Sequence, residues 1–182
     1  MTNLMNKFWC EVLTLPYKFN SRDNPLHEQQ VEALLKKYGF NYEHEPNGKQ
    51  KSPDFRVTLD NGRTVDIECK SSATEAHPTY NGGLPKEGVV YIFSSKIYDK
   101  TTIYFAEDIV TEKKRQQYAS LIKEIKSIVK IYQMDEEWED ESRGFDYYPR
   151  NMYTQKGGKV KTDYFTHNDR ERCEQNVLNH QW

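Results

Sequence analysis

The sequence predicts one α/β domain of the mixed α+β kind, spanning 1–182. Three observations predict it. Residues 25–39 carry a capped amphipathic helical pattern, residues 55–70 form two alternating segments around Asp60-Asn61-Gly62, and residues 89–134 hold two apolar strand-like runs followed by a long helical pattern. A chain of 182 residues can bury a core without disulfide support. The core is expected over about 25–134, with 135–182 as a C-terminal extension.

The N-terminal stretch MTNLMNKFWCEVLTLPYKF lacks a clean apolar core before a small-residue cleavage site, so it reads as mature chain. In PLHEQQVEALLKKYG, Asn24 suits the cap, Pro25 the first helical position and Gly39 the end. Val31, Leu34, Leu35 and Tyr38 form its apolar stripe, and Glu28 sits at the upper edge of that stripe. FNYEHE (40–45) reads as a short strand and PNGKQKSP as a polar loop. The Pro- and Gly-bearing stretch 71–88 reads as irregular. VVYIFS (89–94) and TTIYFA (101–106) read as buried strands. In the helix expected over 112–134, Tyr118, Leu121, Ile122, Ile125, Ile128, Val129 and Tyr132 recur at helical spacing. That stripe suits either core or a dimer interface. Residues 143–166 are rich in tyrosine and base around a Gly157-Gly158 turn, and HNDRERCEQNVLNHQW reads as a short helix.

Composition narrows the function classes. The net charge of −2 argues against a protein that coats nucleic acid indiscriminately. Charge is uneven, however: DEEWEDE at 135–141 holds six acids between basic stretches. Cys10, Cys69 and Cys173 form no C-x-x-C pair, which speaks against a zinc ribbon. They fit a reducing compartment and read as small buried apolar residues. No apolar run is long enough to span a membrane, and no G-x-x-x-x-G-K loop points to a nucleotide cofactor. The cytoplasm of a bacterium or archaeon is the expected location.

The hairpin register can be derived from side chains. A two-residue Asn61-Gly62 loop would set Val57 against Asp66 and mix apolar with polar residues on each face. A three-residue Asp60-Asn61-Gly62 loop, with Gly62 left-handed, pairs Val57 with Val65 and Phe55 with Ile67. It also sets Arg56 against Asp66 and Asp54 against Glu68. Opposed residues lie roughly 4.5 to 5.5 Å apart at Cβ, so two acids there repel unless a cation lies between them. Asp54 and Glu68 are thus candidate ligands for a divalent metal. Lys70 follows on the same face, roughly 7 Å along the strand. A metal so held, with an amine beside it, suits phosphodiester hydrolysis, Lys70 orienting or helping to deprotonate the attacking water. Asp66 has two readings, an auxiliary acid or the partner of Arg56.

Pro53-Asp54 followed by Glu68-Cys69-Lys70 resembles the PD-(D/E)XK nuclease superfamily. The resemblance covers about residues 25–106, and Glu28 takes the place of the helical glutamate that members often carry. It implies a mixed central sheet with flanking helices in the order αβββαβ. It also implies catalysis by Asp54, Glu68, Lys70 and Glu28, with Mg2+ as cofactor and Mn2+ able to replace it. One departure is plain: members usually place a helix soon after the lysine strand, where residues 71–88 here have loop composition. Either that helix is replaced or the helix at 112–134 takes its role.

Small stand-alone members are mostly type II restriction endonucleases, which implies cleavage of double-stranded DNA at a short sequence by a homodimer. Candidate DNA contacts are Ser71, Ser72, His77, Tyr80 and Asn81 in the loop, and Arg150, Asn151, Lys156, Lys159 and Lys161 in the extension. Two alternatives are a structure-specific repair or junction-resolving nuclease and a non-catalytic DNA-binding protein.

Overall fold

The computed structural model describes residues 4–18, 26–74, 77–133, 151–154, 165 and 169–182. Helix α1 (Leu4–Val12) buries Met5, Phe8, Trp9 and Val12, a spacing of three and four that makes one apolar face. Helix α2 (Leu26–Lys37) buries Val31, Leu34 and Leu35, as its stripe requires. There follow β1 (Asn41–His44), β2 (Phe55–Thr58), β3 (Thr64–Ser72), β4 (Thr79–Asn81), β5 (Val89–Ser95) and β6 (Lys100–Phe105). Helices α3 (Ala106–Ile109) and α4 (Glu112–Gln133), strand β7 (Met152–Thr154) and helix α5 (Arg170–Leu178) complete the described chain.

Five strands form one mixed sheet in the order β1-β2-β3-β5-β6. Only β3 and β5 run parallel; the other neighbours are antiparallel. Strands β4 and β7 form a separate antiparallel pair.

The β2–β3 hairpin adopts the three-residue register: Phe55 pairs with Ile67, Arg56 with Asp66, Val57 with Val65 and Thr58 with Thr64. The Leu59 N–H donates to the Arg63 carbonyl at 2.8 Å, closing a loop of Asp60, Asn61 and Gly62. Gly62 has φ +79°, a conformation that costs glycine little and most residues much.

Alternation then divides the sheet between two apolar clusters. Phe55, Val57, Val65, Ile67, Val90 and Ile92 pack with α1, α2 and Val177 of α5. Val89, Tyr91 and Phe93 face the other way, with Tyr80, Tyr104, Phe165 and Cys173. The core therefore reaches beyond 25–134 at both ends: the rings of Trp9 and Trp182 pack at 5.7 Å, tilted by 38°, and α1 fills a place without an element in the sequence reading.

The order αβββαβ implied by the resemblance is not met, in keeping with the loop composition of 71–88, and two further expectations change. Among the described residues no helix joins β3 to β5; the crossover carries the short strand β4 instead. Helix α4 comes after β6 and buries none of its residues, so its stripe is not core. Tyr118, Ile122, Ile125 and Val129 are half-buried, while Leu121 (46%) and Ile128 (55%) are exposed. Finally, Cys69 and Cys173 are buried but Cys10 is exposed, because it lies on the outer side of α1. Among the described residues no helix is long and apolar enough to cross a membrane.

If α1 is part of the core, Trp9→Ala should cost about 3–5 kcal/mol of stability in denaturant unfolding. A loss within ~0.5 kcal/mol, the usual range for a surface change, would show that α1 is peripheral.

Candidate active site

Asp54 stands one residue before β2, where the hairpin ladder ends. Its N–H donates to the Ile67 carbonyl at 3.0 Å, and its carbonyl accepts the Glu45 N–H at 2.8 Å. Its side chain then extends the ladder by one rung: Oδ2 accepts the Cys69 N–H at 2.6 Å. The regular pairing ends at Phe55–Ile67, and the bond from the Asp54 N–H to the same Ile67 carbonyl marks a local break in the ladder. The Asp54 and Glu68 side chains meet in the lining of one cleft, where each feels the other's charge.

Along β3, Cys69 turns into the apolar cluster while Glu68 and Lys70 turn to the other face. Glu68 is only 7% exposed. Its Oε1 accepts a hydrogen bond from Lys70 Nζ at 2.5 Å, and its Oε2 is buried with no hydrogen-bond partner. Asp54, Glu68 and Lys70 line one cleft of about 590 Å³.

The electrostatics follow from burying acids together. Burial, and then the Glu68 charge, push the Asp54 carboxyl up to about 7, against the pull of the Cys69 N–H and Lys70. Glu28 is also held above the usual carboxylate range, first by burial; Lys70 pulls it down, Glu45 and Glu68 push it up. Glu28, in the first turn of α2, feels these charges but is not among the residues lining the cleft, and its carboxylate lies 3.9 Å from His44 Nε2. Burial pulls Lys70 down, but the charge and hydrogen bond of Glu68 reverse this and raise it. Lys70 therefore holds its proton at neutral pH in the metal-free protein.

Asp66 is the partner of Arg56, which grips both its oxygens at 2.7 and 2.9 Å. This is the bidentate geometry of a strong structural pair, and it removes Asp66 from the cleft chemistry. Glu32 accepts the Tyr42 hydroxyl at 2.7 Å and pairs with Lys36.

Of the expected loop contacts, Asn81 is exposed and lines the cleft. Two others are corrected: His77 and Tyr80 are buried, and the Tyr80 hydroxyl is bonded to that of Tyr104 at 2.8 Å. Tyr80 forms the cleft's inner wall and is not a free arm. Ser71 and Ser72 sit half-buried at the far end of β3, outside the cleft lining. The Asn151 carbonyl accepts the Gly82 N–H at 2.7 Å, which ties the C-terminal segment to the cleft's glycine wall. Arg150, Lys156, Lys159 and Lys161 lie outside the described residues.

Sequence reading missed Asn47, Gln50, Lys51 and Lys86, which line the cleft mouth. Lys86 Nζ donates to the Ser52 carbonyl at 3.3 Å and so bridges the two walls. The basic loop beside Pro53-Asp54 was the available signal. Tyr91, also in the lining, accepts the Lys86 N–H at 2.9 Å through its hydroxyl.

Among the described residues no group of three or more His, Cys, Asp or Glu side chains is arranged to hold a metal ion. The donor chemistry suits one: two hard carboxylates share a cleft, and a buried Glu68 oxygen has no hydrogen-bond partner. No protein-family model, curated protein or solved structure matches this chain.

The Asp54 shift fixes a sign. Because its folded value, about 7, lies above the ordinary 3.8, the folded state holds a proton that the unfolded chain has lost. Metal-free stability should fall from this term as pH rises between about 4 and 7. His27, buried and held at about 4 by desolvation, acts oppositely: it costs stability as pH falls below its ordinary 6.5. Thermal melts in chelator should separate them. Asp54→Asn should gain on the wild type steadily from pH 4 to 7, and parallel curves would show that Asp54 is not strained.

Proposed function

We propose that the chain is a magnesium-dependent deoxyribonuclease of the type II restriction class, hydrolysing phosphodiester bonds in double-stranded DNA at a short sequence. One observation carries the reading: a buried carboxylate pair with an unpartnered oxygen, beside a lysine ammonium, at the floor of an open cleft. The restriction class and the homodimer come from the PD-(D/E)XK resemblance of Pro53-Asp54 and Glu68-Cys69-Lys70.

Asp54 and Glu68 would hold Mg2+, or Mn2+ in its place, which when bound neutralises phosphate charge and makes water a better nucleophile. The chain's own residues then have separate tasks. The Cys69 N–H fixes the Asp54 carboxylate, so that its other oxygen faces the cleft in one orientation. Lys70, next to Glu68 in the cleft, would orient the attacking water or help take its proton, and would donate to a phosphate oxygen as charge builds there. Glu28, raised above the ordinary carboxylate range and close enough to feel Lys70 and Glu68, would position Lys70 or water. Attack in line would form a bond from water oxygen to phosphorus and break the bond to the 3′ oxygen. The products of that course are a 5′-phosphate and a 3′-hydroxyl.

A plasmid digest with magnesium tests this. Discrete bands are expected; cutting confined to branched or mismatched DNA would favour a repair nuclease. Asp54→Ala and Lys70→Ala should each keep DNA binding but lose cleavage by at least about 10²-fold. Unimpaired cutting by either variant would remove that residue from the mechanism, and no cleavage of any nucleic acid by the wild type would end the proposal.

A further inference from the structure

A second groove, also of about 590 Å³, lies along α4. Four cationic residues line it, Arg115, Lys123, Lys126 and Lys130, and its lining holds no carboxylate. Intervals of three, four and eight residues bring these cations onto one side of the helix. Lys123, Lys126 and Lys130 are in no ion pair among the described residues, whereas Arg115 is held by Glu87 at 3.3 Å. Like charges at such spacing destabilise a helix by themselves, so the arrangement suits an anionic occupant.

The groove adjoins the candidate active site. Leu84 lines both the groove and the cleft of Asp54, Glu68 and Lys70. Arg115 Nη1 donates to the Pro85 carbonyl at 2.6 Å, which fixes the wall between them. Tyr118 and Tyr153, packed edge to face at 5.1 Å, give the groove an aromatic floor. At ~1.5 Å of rise per residue the three lysines span roughly 10 Å of helix axis. Along the duplex axis one strand advances by about three phosphates in that length.

We propose that this groove seats the sugar-phosphate backbone of one strand of duplex DNA and leads it to the cleft. The inference rests on the nuclease reading above and adds where the substrate is held. With a net charge of −2, the chain cannot rely on its overall field to draw DNA; a local basic track must do so. Lysines reaching phosphates carry affinity without sequence information, so the bases would be read elsewhere.

The test is fluorescence anisotropy of the full chain with a labelled duplex, in chelator, across a range of salt. The triple variant Lys123→Ala, Lys126→Ala, Lys130→Ala should bind about 10- to 100-fold more weakly near 0.1 M salt, with a slope of log affinity against log salt shallower by about 2 to 3. The matching triple arginine variant should retain wild-type affinity. All three lysines are exposed, and a thermal melt confirms that the fold survives. Wild-type affinity and slope in the alanine variant would overturn the proposal, as would a wild type that binds no duplex. Magnesium cleavage by the wild type separates the two readings. Cutting with an indifferent alanine variant overturns only the groove; lysine-dependent binding without any cutting supports the groove and overturns the nuclease.

Discussion

Two carboxylates, Asp54 and Glu68, share one half-enclosed cleft because a hairpin brings both to it. The left-handed Gly62 closes a three-residue turn, and the pairs Phe55–Ile67 and Val57–Val65 lock the register by burying both partners. A slip of one residue would turn those apolar side chains outward, so the core enforces the register. The same hairpin brings the side chains of Asp54 and Glu68 into one cleft. Apolar packing thus supports an electrostatic arrangement that would relax if the side chains were free to move apart.

The consequences spread along β3. Cys69 anchors the strand in the apolar cluster and offers its N–H to Asp54, while its neighbours Glu68 and Lys70 are aimed at the cleft. Glu68 satisfies one oxygen with Lys70 and leaves the other without a partner. Arg56 and Asp66, two residues nearer the turn, neutralise each other and leave Asp54, Glu68 and Lys70 as the charged groups at the cleft floor. The loop between β1 and β2 and the segment after β4 form the walls, joined by Lys86. A carboxylate pair with one unpartnered oxygen, under a basic rim, is the physical basis of the proposed phosphodiesterase chemistry.

The hairpin was legible in the sequence because its information is local: a turn residue with a special φ, and an alternation of period two. Helix α2 was legible for the same reason, its cap and stripe lying within one segment. Helix α1 is less legible: Met5, Phe8, Trp9 and Val12 have helical spacing, but nine residues make too few turns for the period to stand out. Strand β4 was hidden because its partner β7 lies some seventy residues away; three residues among Pro and Gly carry no strand signal alone. The stripe of α4 was read as core or interface, yet a helix is buried only if a neighbour covers it, and that is a property of topology. Tyr80 and His77 looked like loop residues able to reach out, but both are buried, Tyr80 by its pairing with Tyr153 and its bond to Tyr104.

The central claim is that Asp54 and Glu68 share a cation. Calorimetric titration of Mn2+ into the wild type, Asp54→Asn and Glu68→Gln measures this without any substrate. One ion should bind per wild-type chain, and either substitution should abolish or severely weaken that binding. Equal binding by all three proteins would contradict the account, since the paired carboxylates would then hold no metal.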